Sequence, residues 1–226
     1  MIRINYSGRH GNNLFQYFTG IILSEINNQN IVNPFNTKII KSKSKPQNDY
    51  TNTIHVNDDN IDDIIKNNIN NSNIELTGFF QKESVIDLFD EYYSFLNNTK
   101  SYEDGVFVHV RLGDLLGDPP GRWANQDYYE TILDSIQFNN GFISSDSLDH
   151  PIVENLIKKY DLKIFKSNED DLILFGSSFK YKILSLGTFS WWMGYMGCQE
   201  NVFFPNPNKY LKWFGNILVK NNWNLI

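Results

Sequence analysis

Hydrophobic and polar residues alternate at the start of the chain. Ile2, Ile4 and Tyr6 lie between polar neighbours and give way to Ser7-Gly8, which predicts a short strand. The period then changes. Leu14, Phe15, Tyr17, Phe18, Ile21, Ile22 and Ile26 recur at helical intervals behind Asn12 and Asn13, either of which suits a cap, and the pattern ends at Asn27-Asn28. The chain thus opens as strand, glycine-bearing loop and helix. Residues 33–73 carry little periodicity and are interrupted by Pro34 and Pro46, so only a strand at Thr53–Val56 and a helix at 59–68 are expected there. A strand at 74–80 follows, then a helix at 84–96 with Val85, Leu88, Phe89, Tyr92 and Tyr93 on one face.

The polar stretch 97–104 reads as a linker. Beyond it, strands expected at 106–110, 141–144, 162–165, 181–186 and 202–204 alternate with helices at 126–137, 151–160, 169–175 and 189–196. Val106-Phe107-Val108-His109-Val110 is a near-continuous apolar run, as in a parallel strand covered on both faces. Such alternation is the signature of an α/β fold. The division that follows is an N-terminal lobe over 1–103, a second lobe over 104–205, and a helical C-terminal segment over 206–226 that packs back on the first lobe.

Composition narrows the function classes. Hydrophobic residues make up 41% and aromatics 15% of the 226 residues, a globular balance, and the net charge of −6 argues against a nucleic-acid partner. Cys198 is the only cysteine, so no intrachain disulfide forms and a reducing compartment is expected. The first residues are too few and too polar for a secretory leader, and no run approaches the ~20 apolar residues that span a bilayer. The expectation is a soluble, cytoplasmic protein without membrane insertion.

Open parallel sheets bind ligands at the carboxyl ends of their strands, and three loops of that kind carry unusual residues. In Gly8-Arg9-His10-Gly11-Asn12-Asn13 the glycines allow close backbone approach, and the helix start offers N–H groups to an anion; an ordinary tight turn explains the same residues equally well. In His109-Val110-Arg111-Leu112-Gly113-Asp114 a buried strand runs into a permanently charged arginine, which needs an anionic partner. Asp114 is one candidate partner. A nucleotide diphosphate is the other, where the guanidinium would offset the charge of a leaving group. The third loop, Gly187-Thr188-Phe189-Ser190-Trp191-Trp192, opens a helix with two hydroxyls near its start; Trp191 and Trp192 read as packing. Ser145 and Asp146 end another strand on the same rim. The four histidines are too scattered for a metal site, and neither a Walker A sequence nor a Gly-x-Ser-x-Gly elbow is present.

In their order these motifs resemble the α1,2-fucosyltransferase family (glycosyltransferase family 11-like) and its α1,6- and protein-O-fucosyltransferase relatives. The family's Gly-x-Gly-Asn-x-x-Phe-Gln opening is matched by Gly8, Gly11, Asn12, Phe15 and Gln16 with one extra residue between the glycines. Gly78-Phe79-Phe80-Gln81, the His-x-Arg-x-Gly-Asp run from His109 to Asp114, Tyr128-Tyr129, Ser145-Asp146 and Phe189-Ser190-Trp191-Trp192 follow, so the similarity spans about residues 1–205. The resemblance implies a GT-B-like α/β fold of two facing Rossmann-like lobes, here with the N-terminal, acceptor-side lobe reduced. It implies an inverting transfer of fucose from GDP-fucose to a glycan hydroxyl, galactose O2 being the family's usual target, with no metal or other cofactor.

By position, the resemblance assigns Arg111 to the donor β-phosphate, His109 and Asp171 to the guanosine, and Thr188 with Ser190 to the pyrophosphate. Gly8, Gly11 and Asn12 would close on the donor from the first lobe, and Gly113, Asp114, Ser145, Asp146 and Phe189 complete the expected donor site. Asp118 is the candidate general base beside Arg111, although it also suits the start of a turn. The family usually carries a second arginine where this chain has Leu112, which puts donor identity in question; Arg9 and His10 are candidates to compensate. The rival readings are a same-fold transferase with another nucleotide-sugar donor and a degenerate, non-catalytic nucleotide- or glycan-binding protein.

Overall fold

The alternating start folds as a three-residue strand, β1 (Ile2–Ile4), with Ile2 and Ile4 buried. The computed structural model describes residues 1–67, 69, 71–97, 102–117, 124–207 and 219–226. Two units emerge, Met1–Ser94 and Phe95–Ile226.

In the first unit, helix α1 (His10–Asn27) follows β1 and is buried around most of its circumference. It starts ahead of the expected caps, with Arg9 at the N-cap, because Gly8 at φ 79° turns the chain directly into the first helical residue. Asn28 ends it in the left-handed conformation. Strand β2 (Thr53–Val56), helix α2 (Ile61–Asn67), strand β3 (Asn73–Leu76) and helix α3 (Glu83–Tyr93) complete the unit, and a short 3-10 turn, Ser94–Asn97, leads out of it. The sheet order is β1-β3-β2, all parallel. Phe18 of α1 meets Phe89 and Tyr93 of α3 at ring separations of 5.6 and 4.8 Å, so the two helices share one aromatic seam.

The second unit begins its sheet with β4 (Tyr102–Val110). The end of the expected linker is therefore already strand: Tyr102 pairs with Phe179, and an irregularity before Val106 absorbs the polar residues. Helix α4 (Gln126–Ser135), strand β5 (Asn140–Ser145), helix α5 (Pro151–Tyr160), strand β6 (Lys163–Ile164), helix α6 (Glu169–Ser177), strand β7 (Phe179–Ile183), helix α7 (Thr188–Tyr195) and strand β8 (Val202–Phe204) follow. A last strand, β9 (Asn224–Leu225), corrects the expected helical segment over its described part: residues 224–225 pair parallel with β8, and Trp223 packs 6.1 Å from Trp191. The edge of β8 supplies backbone partners that the sequence pattern does not reveal.

All pairings in this sheet are parallel, and its order is β6-β5-β4-β7-β8-β9. Counted within the unit, that is 3-2-1-4-5-6, the doubly wound order whose direction reverses between the first and fourth strands. Side chains of β4 alternate between two covered faces. Val106, Val108 and Val110 join Leu112, Tyr129, Ile132, Val153 and Leu156 in one core. Phe107 turns to the other face, where its ring lies 6.0 Å from Phe175 of α6. On that face Lys182 of β7 is fully buried, and its Nζ donates to the carbonyls of Ser177 at 3.2 Å and Met196 at 3.1 Å. These oxygens belong to the C-terminal ends of α6 and α7, where the helix dipole favours a cation. Burial lowers the Lys182 pKa to about 8.

Candidate functional site

The reversal of strand order leaves a crevice at the carboxyl ends of β4 and β7. His109, Arg111 and the 184–190 loop converge there, and hydrogen bonds stitch the two strand ends together. Ser185 Oγ donates to the His109 carbonyl at 2.9 Å and accepts the Arg111 N–H at 2.9 Å. His109 Nδ1 lies 2.7 Å from Ser190 Oγ in α7, and its ring packs 5.5 Å from Phe189. With Nδ1 engaged, Nε2 is the ring nitrogen left to meet a ligand.

The Arg111 side chain is 14% exposed. Its Nε and Nη2 donate to Asp114 in a fork, with Nη2–Oδ2 at 2.9 Å, and Nη1 lies 3.5 Å from the Leu186 carbonyl. The Asp114 pairing expected from the sequence is therefore present. Asp114 is itself half exposed, so a stronger anion entering the crevice competes for the same guanidinium face. Gly187 is required beside it: its φ is 130°, and a Cβ there would collide with Arg111 Nη1. Gly187 is also the N-cap of α7, which sets Thr188 and the buried Ser190 in the first turn of that helix.

Asp146 builds the turn after Arg111. Its Oδ1 accepts the N–H groups of Leu112 at 2.8 Å and Gly113 at 3.1 Å, and a Cβ on Gly113 would lie 2.6 Å from Oδ2. Ser145 Oγ accepts the Ser147 N–H, completing the same rim. Leu112 points away from the arginine: it is fully buried in the core beneath α4 and α5. The leucine thus takes no place on the charged side of the loop.

His109, Arg111, Gly113, Asp114, Asp146, Phe189 and Ser190 form one connected group, with Ser145 and Thr188 on its borders. Asp171 lies in the first turn of α6, its carboxylate and N–H both meeting Asn168. Asp118 lies outside the described residues. Gly8, Gly11 and Asn12 belong to the first unit, where the Gly8 turn abuts the Asn12 side chain and Gly11 is buried within α1. Sequence reading missed Ser185, whose signal is a lone hydroxyl inside the apolar run Ile183-Leu184-Ser185-Leu186. It also missed the structural use of Gln16, which is fully buried and bridges Ser7 to the Gly78 carbonyl. Among the described residues no group of three or more His, Cys, Asp or Glu side chains is arranged to hold a metal ion. No helix among them is long and apolar enough to cross a membrane.

Burial holds the His109 pKa down at about 4, with Asp146 opposing the shift and Arg111 adding to it. The imidazole is therefore neutral at pH 7 and acts as a hydrogen-bonding group, leaving Arg111 as the cation of this cluster. Because the folded pKa lies below the unfolded 6.5, the unfolded chain takes up the proton first as pH falls. Stability from this residue is complete above pH 6.5 and is lost towards pH 4, a loss of about 3 kcal/mol at ~1.4 kcal/mol per pKa unit. Denaturant titrations across this range should show wild type gaining on His109→Gln by that amount as pH rises; a pH-independent difference between the two would refute it.

The family model described as Glycosyl transferase family 11 matches residues 94–226. The match covers more than half the chain and takes in the whole second unit, including the crevice. It does not extend over the first unit, where the resemblance rests on Gly8 to Gln16 and on 78–81. No curated protein and no solved structure matches the chain.

Proposed function

Because the chain belongs to glycosyl transferase family 11, we propose that it moves fucose from GDP-fucose to a glycan hydroxyl, galactose O2, with inversion at the sugar's anomeric carbon. The observation that carries this reading is the position of Arg111 at the switch point, between the end of β4 and the loop that opens α7. A diphosphate is the ligand that such an arrangement suits. The guanidinium forms bidentate hydrogen bonds to phosphate oxygens, and the N–H groups of the α7 first turn with Thr188 supply uncharged donors beside it.

In the proposed reaction the acceptor oxygen attacks fucose C1 from the face opposite the diphosphate. The C1–O bond to the β-phosphate breaks, its electron pair leaves with GDP, and the acceptor proton passes to a base. Arg111 stabilises the charge that grows on the departing phosphate. Neutral His109 meets the nucleotide through Nε2 while Ser190 fixes its ring, and the Ser185 bridge holds the arginine's backbone in register. Asp118 stays the proposed base. The reading assigns the donor to the second unit and the acceptor to the first, and needs no metal.

A thermal-shift screen against GDP, GDP-fucose, GDP-mannose, UDP-galactose and UDP-glucose tests the donor. At about 100 times Kd a ligand adds ~2.7 kcal/mol, which for a chain of this size raises Tm by roughly 5–10 °C. GDP and GDP-fucose are expected to give that shift and the uridine nucleotides none. A shift with a uridine nucleotide alone would move the protein to another donor class.

A further inference from the structure

The rim of the first unit carries an aromatic ring whose exposure the fold enforces. At the carboxyl end of β3 the chain runs through Gly78-Phe79-Phe80-Gln81, and neighbouring elements fix each residue. Gln16 Nε2 donates to the Gly78 carbonyl at 2.8 Å. The Asp58 carboxylate, from the loop after β2, accepts the Phe79 N–H at 2.9 Å and the Phe80 N–H at 2.6 Å. Gly78 is needed because a Cβ would lie 2.9 Å from Asp58 Oδ2. Gln81 Nε2 donates to Asn12 Oδ1 at 3.2 Å, tying this loop to the first turn of α1.

Held this way, Phe80 adopts φ 55°, a left-handed conformation that costs a bulky residue, and is fully buried. Phe79 is turned outward and is 43% exposed. A relaxed turn would not need strain and a double carboxylate clamp to keep a phenyl ring in water. Strain of this kind gathers at ligand clamps. The surroundings also define the ligand. The chain neighbours Thr77, Gly78, Gln81 and Lys82 add no apolar side chain beside the Phe79 ring, whereas protein docking calls for a contiguous apolar patch. The ring matches one pyranose: its electron-rich face attracts the polarised C–H bonds of a sugar's apolar face.

We propose that Phe79 is the stacking platform for the acceptor sugar, an inference that rests on the transfer reaction proposed above. The test uses the full chain with lactose as probe and two variants, Phe79→Ala and Phe79→Trp. The alanine variant raises the KM for lactose about tenfold, equivalent to ~1.4 kcal/mol, while its GDP-induced thermal shift stays that of wild type, showing an intact fold. Phe79→Trp keeps a KM near wild type, and its indole emission changes saturably as lactose is added, beyond any change that the five native tryptophans give in wild type. An unchanged KM in Phe79→Ala overturns the platform and leaves the transfer reaction standing. If wild type transfers nothing to lactose, the titration of Phe79→Trp still decides: a saturable change supports the sugar platform although the reaction is wrong, and no change overturns it.

Discussion

Replacing Arg111 by alanine is expected to lower kcat by about 10³-fold, the scale set by removal of a preorganised charge donor from a transition state, while the protein stays folded. The catalytic loss follows from where the charge sits. Arg111 is held at the crevice by its backbone bond to Ser185 and lies between Asp114 and the Leu186 carbonyl, so little reorganisation is needed before a diphosphate meets it. The structural loss is small because Asp114 is half exposed, and pairs of that kind contribute about 1 kcal/mol or less. Lysine at 111 should recover only part of the rate, since it keeps the charge but not the planar fork. Donor hydrolysis and acceptor transfer, measured beside a melting curve, separate the two effects. Full turnover in Arg111→Ala with an unchanged Tm would remove the arginine from the phosphate site.

The second large effect is on stability. Leu112→Arg would restore the residue that the family signature usually carries, and it is expected to destabilise the protein rather than tighten donor binding. Leu112 is fully buried among Val110, Tyr128, Tyr129 and Ile132. Among the described residues that core is built of aliphatic and tyrosine side chains and holds no carboxylate for a guanidinium forced into it, and an uncompensated buried charge costs about 3–5 kcal/mol. In a chain of this length the melting point should fall by roughly 10 °C or more. An unchanged melting point with a stronger GDP shift would mean that the side chain at 112 turns out of the core and reaches the donor.

The sequence shows the residues behind these two effects unevenly. The doubly covered strand 106–110 and the helix at Pro151–Tyr160 were legible because their patterns are strong: continuous β-branched and aromatic residues in one, proline at the first helical position in the other. The three strand-end loops were legible for the same reason, since charged and glycine residues interrupt apolar runs there. The roles within them were less so. Asp114 and Asp146 look alike as acidic residues at strand ends, yet one pairs with the guanidinium and the other holds backbone N–H groups of the turn. Only the third dimension separates these tasks.

Lys182 shows the same limit from the other side. A lysine between Tyr181 and Ile183 fits an outward-facing position of a strand, and nothing local announces that two helices end on it. The tail misled for a related reason. The short strand Asn224–Leu225 exists because β8 has an edge to complete, and a two-residue segment has no periodicity to read. In the first unit, Gln16 belongs to a recognisable motif, but the motif does not say that its amide joins two loops.

The stitching of the crevice bears on the order in which the protein assembles. The partners that join β4 to the far side of the site lie 76 residues apart for Ser185 and His109 and 81 apart for His109 and Ser190. Contacts this distant form only after the intervening chain has been closed into a loop, which makes them slow to arise. The first strand of the second sheet therefore waits at its centre for a neighbour synthesised long after it, and this corner is complete only once β7 and α7 are in place. If a nucleotide binds here as proposed, it recognises the finished sheet and ignores its precursors, and acts on the folding equilibrium from the native end alone.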